Sequence, residues 1–175
     1  FRYPPVRSTG SRFRRPDDRH GVYYASEHVR TALAEMAYYR VRFFEASPRT
    51  PRPRNEERLT AFSVTYQTQR GIDLTRAPLN RDRAAWTHPS DYTATQALAA
   101  TAREAGLAAI RYHSARDPEG MNVALLTPGA FSTDAPLTRQ TWLLYLAGPA
   151  VSCRRAGELG GEFYEFDRAV LRGRG

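Results

Sequence analysis

Proline and glycine, twelve of each in 175 residues, cut this chain so often that every periodic segment between them is short. Pro4, Pro5, Gly10 and Pro16 keep Phe1–Arg19 irregular, Pro48, Pro51 and Pro53 do the same between arginines in Ser47–Asn55, and Arg76–Ser90 carries Pro78 and Pro89 around Trp86. The longest apolar stretch, around Trp142–Val151, is broken by Gly148 and Pro149. A helix that crosses a membrane needs about 18 uninterrupted apolar residues, and the sequence has no such run.

What remains between the breaks is a mixture of two periods. Val22–Ala25 reads as a short strand after Gly21, with Ser26 as the expected cap of a helix over His28–Arg40. In that helix Ala32, Leu33, Met36 and Ala37 form an apolar stripe expected to face a core. Glu35 lies off the stripe with Thr31, Tyr38 and Tyr39, so its carboxylate is free to look into a cleft. Leu59–Gln67 alternates as a half-buried strand with Phe62, Val64 and Tyr66 on one side. Asp91 caps a second helix over Tyr92–Ala105, which Gly106 stops. Leu107–Tyr112, Met121–Leu126, Trp142–Leu146 and Glu162–Phe166 read as strands. Helices scattered irregularly among short strands and long loops predict an α+β fold over a single domain, 1–175, rather than a βαβ array.

Charge says less than it first suggests. The chain has 26 basic residues against 18 acidic ones, a net +8, and every basic residue is arginine. Such a bias fits the codon habit of a GC-rich genome, and the arginines are spread along the whole chain with no helix carrying a basic face. A basic nucleic-acid-binding module without enzymatic activity is therefore the alternative reading, and direct nucleic-acid binding is not expected. Guanidinium groups do suit the phosphate oxygens of a smaller anionic ligand. The apolar and aromatic content is that of a folded protein. Cys153, the sole cysteine, allows no intrachain disulfide and makes a reducing cytoplasm the default compartment. A secretory signal is not visible, and the opening on Phe1 is compatible with native residues ahead of it.

Few residues are arranged for chemistry in an obvious way. His20, His28, His88 and His113 never pair at ligand spacing, so no metal site is expected. Gly157, Gly160 and Gly161 lack the strand, loop and helix order of a phosphate-binding loop and read as a turn. Ser114, His113 and Asp117 are sequence neighbours without a nucleophile elbow, a poor triad. The dispersed set Arg12, Arg14, Tyr24, Glu35 and Ser114 is more informative. Arginine neutralises phosphate, an aromatic ring stacks on a base, and a carboxylate stabilises positive charge developing at a sugar carbon. Taken singly, each has an ordinary role as a surface charge, a core tyrosine or a turn serine.

In order and spacing, the segments GSRFRRPDDRHGVYYAS, TALAEMAYYR, DYTATQALAATAREAGLAAIRYHSARDPEG and NVALLTP resemble the RES domain, the toxin half of many bacterial toxin–antitoxin pairs, from about Arg2 to Phe166. On that resemblance Arg12 with Phe13 falls at the family's arginine followed by an aromatic, Tyr24 at its tyrosine, Glu35 at its glutamate, and Ser114 at its serine ahead of the strand containing Asn122. Arg14 competes with Arg12 for the arginine role. The resemblance implies a fold similar to ADP-ribosyltransferase toxins, with a split, mostly antiparallel or mixed sheet whose cleft holds NAD. It implies consumption of NAD with water, phosphate or a protein acceptor of ADP-ribose, and an Xre-like antitoxin as partner. Arg12, Tyr24, Glu35 and Ser114 would be catalytic, and Arg12, Arg14, Tyr24, Ser114 and Asn122 would bind NAD. The Ser47–Asn55 loop and the stretch around Trp86 suggest a longer subgroup.

Overall fold

The computed structural model describes residues 10–146, 148–157 and 161–172. Phe1–Thr9, most of the irregular lead-in, and Gly160 of the expected glycine turn lie outside them. Among the described residues eight strands and four α-helices follow in the order β1 (Tyr23–Ser26), α1 (Val29–Ala46), β2 (Glu57–Ser63), β3 (Gly71–Asp73), α2 (Arg83–Trp86), α3 (Thr93–Glu104), β4 (Ala109–His113), β5 (Met121–Leu125), β6 (Thr138–Tyr145), β7 (Ala150–Arg155), β8 (Phe163–Asp167) and α4 (Arg168–Leu171). The fold is α+β, with two four-stranded sheets in the orders β1-β5-β4-β3 and β2-β6-β7-β8. All neighbours run antiparallel except β3 and β4.

The first sheet is covered on one face by α3. Small Ala99 and Ala102 let this helix approach closely, and Phe13, Leu74, Ile110, Tyr112 and Leu126 fill the layer. Asp91 Oδ1 accepts the N–H of Thr93, and Gly106, at φ +69, ends the helix in a left-handed turn that favours glycine. The opposite face of that sheet carries Tyr23, Ala25, Val123 and Leu125.

The second sheet packs its Trp142, Leu144, Val151, Cys153 and Phe166 against α1. The helix divides its sides. Leu33, Ala34, Ala37, Tyr38 and Val41 are buried on that sheet, whereas Ala32, Glu35, Met36 and Tyr39, one stripe at i, i+3, i+4 and i+7, line the gap between the sheets. The expected apolar stripe is therefore split: Leu33 and Ala37 enter the core, Ala32 and Met36 do not. Thr31 and Tyr38, expected beside Glu35 on a cleft face, are buried.

β2 corrects the sequence reading in the same way. Its alternation holds only as far as Ser63, where the strand ends short of the expected Gln67; Leu59 and Ala61 pack on the core, and Phe62, at 51% exposure, stands on the wall of the gap with Val64 and Tyr66 from beyond the strand. Ser26 is not a helix cap. His28 takes the cap position of α1, without a side-chain bond, because Ser26 stays in β1. β3, α2, β7 and α4 were not legible as elements: β3 is three residues long, β7 begins at the Gly148-Pro149 break, and α2, inside the stretch Arg76–Ser90 expected to be irregular, and α4 are each a single turn.

Candidate active site

Between the two sheets and alongside α1 lies a cavity of about 690 Å³, within the range of small-molecule sites. β1 and β5 form one wall, β2 and β6 the other, and the Glu35 stripe of α1 runs along it. Its lining is rich in aromatic rings, among them Tyr24, Tyr39, Phe62, Tyr66 and Tyr92. Their exposure, about two fifths for Tyr24 and Tyr39 and half for Phe62, leaves flat faces available for stacking.

Glu35 is the best-organised polar group in the cavity. Its Oε1 accepts two hydrogen bonds, from Ser114 Oγ at 2.7 Å and from Asn122 Nδ2 at 2.8 Å. Among the described residues Oε2 has no hydrogen-bond partner, so one carboxylate oxygen is anchored and the other remains for chemistry.

Ser114 differs from the role expected for it. It is buried and does not line the cavity. Its Oγ accepts the backbone N–H groups of Arg116 at 3.0 Å and Asp117 at 3.1 Å while donating to Glu35. A hydroxyl offers one donor and two acceptor sites, so Ser114 is fully occupied in closing its own turn and holding the glutamate. Asn122, also buried, faces Glu35 from β5, one of the two inner strands of its sheet.

Arg12 and Arg14 part company. The turn closed by the Ser11–Arg14 bridge sends Arg12 to the cavity, where its guanidinium donates to Trp86 O at 2.7 Å and His88 O at 3.1 Å and lies 4.9 Å from the Tyr92 ring centroid. Five N–H groups less these two leave donors for a ligand. Arg14 is buried, donates to Asp18 O, and is not among the cavity-lining residues. Between the two guanidinium groups, Arg12 is the one the cavity can use.

Tyr24 places its ring on the cavity wall and tucks its hydroxyl away. Oη accepts the N–H of Phe13 and shares a hydrogen bond with Ser11 Oγ, both at 2.9 Å. Burial pushes its phenol above the ordinary value, so it stays protonated at neutral pH. Phe13, fully buried behind it, stacks on Tyr24 and meets Tyr112 edge-on.

Sequence reasoning missed Arg116. This buried arginine reaches the cavity, among the described residues with no carboxylate in an ion pair with it: its guanidinium lies 3.5 Å from the Tyr38 centroid and donates to Leu171 O and Pro89 O. Nothing in the local pattern distinguishes it from the other arginines. Many of those are in ion pairs, as Arg30 is with Asp117, Arg40 with Glu57, Arg111 with Glu27 and Asp73, and Arg154 with Glu56.

Among the described residues no three histidine, cysteine, aspartate or glutamate side chains gather as a metal-binding group, and no helix is long and apolar enough to cross a membrane. No curated protein matches this chain. A family model described as RES domain matches residues 1–147, which include both walls of the cavity and Arg12, Tyr24, Glu35, Ser114 and Asn122, and stop short of β7, β8 and α4. RES domains are associated with NAD-utilising toxins, a general enzymatic role that an aromatic cavity with an anchored carboxylate suits. By the extent of that match, the chain belongs to the RES domain family.

Proposed function

We propose that this protein cleaves the bond between nicotinamide and ribose in NAD, and that it does so as the toxin of a toxin–antitoxin pair whose partner is an Xre-like protein. The observation that carries this reading is Glu35, one oxygen held by Ser114 and Asn122 and the other without a hydrogen-bond partner among the described residues, on the wall of the aromatic cavity. When the C1′–N bond breaks, its electron pair leaves on the pyridinium nitrogen to give neutral nicotinamide, and positive charge develops on the sugar. A carboxylate already oriented by two donors stabilises that charge without reorganising. Arg12 supplies the charge for the pyrophosphate, and the Tyr24 ring supplies a stacking surface. Water, phosphate or a protein side chain then bonds to C1′ and gives up its proton. A reducing cytoplasm, with a buried free Cys153, is the compartment such an enzyme would work in.

The test is nicotinamide release from NAD by purified protein, alone, with phosphate, and with acceptor proteins. The sugar product names the acceptor: ADP-ribose, its 1-phosphate, or a modified protein. Glu35→Gln keeps the shape and removes the charge, and the expected loss is about a hundredfold or more. Arg12→Ala should chiefly raise KM. A wild-type protein that releases no nicotinamide under any of the three conditions sinks the reading. Growth arrest on expression, relieved by Glu35→Gln, tests the toxin role.

A further inference from the structure

We propose that Ser26 is a positioning residue for this reaction: its hydroxyl locks the side-chain amide of Asn122 in the orientation that donates to Glu35. The proposal rests on the reading of Glu35 given above. Ser26 ends β1 directly opposite Asn122 across the β1–β5 ladder. Its Oγ donates to Asn122 Oδ1 at 2.6 Å, and Asn122 Nδ2 in turn donates to Glu35 Oε1 at 2.8 Å.

An asparagine amide has one accepting end and one donating end. Turned over, it would set its oxygen against the Glu35 carboxylate and lose the donor. Asn122 is 3% exposed, so bulk water cannot readily replace what Ser26 supplies. A donor on Oδ1 also polarises the amide and strengthens the N–H it offers to Glu35.

Glu35 Oε1 thus stands between two donors that are each anchored from behind. Ser114 is held by the backbone N–H groups of Arg116 and Asp117, and Asn122 by Ser26. The two anchors come from different parts of the chain, the end of β1 and the turn after β4. With both in place the glutamate cannot swing away from the cavity wall. The Ser26 hydroxyl is available for this because α1 does not take it as a cap.

The experiment compares wild type, Ser26→Ala and Ser26→Thr by two readouts. One is kcat and KM for nicotinamide release. The other is the Asn122 side-chain amide resonance in nitrogen-15-labelled protein without ligand, assigned by its loss in Asn122→Ala. Ser26→Ala is expected to lower kcat by about ten- to a hundredfold, since small misplacements of a catalytic group cost that much, with KM within about twofold. It should also shift or broaden the Asn122 amide pair. Threonine keeps the hydroxyl, suits a strand end, and should restore both. An unchanged amide resonance in Ser26→Ala overturns the proposal, as does unchanged kcat in an active enzyme. So does a loss that threonine fails to restore in a variant melting like wild type. Should wild type prove inactive on NAD, the proposed reaction falls, while the amide resonance still decides whether Ser26 holds Asn122.

Discussion

Replacing Ser114 by alanine removes a single oxygen on which three groups converge. The backbone N–H groups of Arg116 and Asp117 lose their acceptor in a buried turn, and Glu35 loses one of two donors. A buried donor left without a partner costs about 1–3 kcal/mol. Two of them, partly relieved by relaxation of the turn, give a destabilisation of about 2–5 kcal/mol. In a chain of this length each kcal/mol moves Tm by about 2–4 °C, so the variant should melt roughly 5–15 °C lower, with the urea midpoint shifted and the m-value unchanged. Turnover should fall as well, because Glu35 keeps only Asn122. A serine whose task was to touch the substrate would behave differently, raising KM while leaving the melt alone. Ser114→Ala melting within about 1 °C of wild type would refute the argument that this hydroxyl belongs to the scaffold of the site.

Other consequences are as direct. An added Cβ at Gly120 would meet Thr31 Oγ1 and Cγ2 at 2.5 Å and Asp117 Oδ2 at 2.8 Å, and Thr31 and Asp117 are buried and bonded to each other. Gly120→Ala should therefore cost about 1–3 kcal/mol in urea unfolding, as overpacking does. Arg111 bonds both carboxylate oxygens of Glu27 and holds its carboxyl below the ordinary value. A lowered folded-state value means that the pair stabilises fully above the ordinary pKa and loses its effect as pH falls through the folded one. Glu27→Gln should accordingly destabilise at pH 7 by less than about 1 kcal/mol, the pair being partly exposed, and converge with wild type in acid unfolding curves as the pH falls through that lowered value. Burial pushes the Cys153 thiol up to about 12. A thiol reagent at pH 8 should leave the native protein untouched and label it only once urea has unfolded it.

Much of the architecture was readable because local rules carry it. Gly106 ends α3, as turn chemistry requires, whereas Asp91, expected as the cap, stands one residue ahead of the cap position, which Tyr92 takes without a side-chain bond, and accepts the N–H of Thr93. The order of short strands and two long helices led to α+β, and the order of motifs led to the family. The boundaries that failed lack a local signal. α1 continues to Ala46, beyond the expected Arg40, because Val41 packs on the second sheet. β7 takes its place from its ladders to its sequence neighbours β6 and β8, a pairing that the Gly148-Pro149 break before it conceals.

The site was legible as a set of residue types and much less so as a set of contacts. Arg12 and Arg14 are indistinguishable in sequence, two positions apart in an irregular segment. A two-residue turn decides which of them reaches the cavity. Ser114 could be picked out, but its direction could not: only folding shows that its oxygen is consumed by the turn and by Glu35. Tyr39 was placed beside Glu35 on a cleft face by helical spacing, and it does line the cavity; Phe62, Val64 and Tyr66 were placed together by alternation, which does not say that their side meets that same cavity.

Periodicity states which side chains share a face, and it is silent on what that face will meet. The chain's own order of residues determined its two long helices and most of its strands, their breaks, and its membership of a family. Which stripe of α1 turned to the second sheet, which guanidinium reached the gap, and which hydroxyls came to brace one glutamate were decided by packing between segments up to 96 positions apart. Contacts of that range exist only once both sheets have closed around α1.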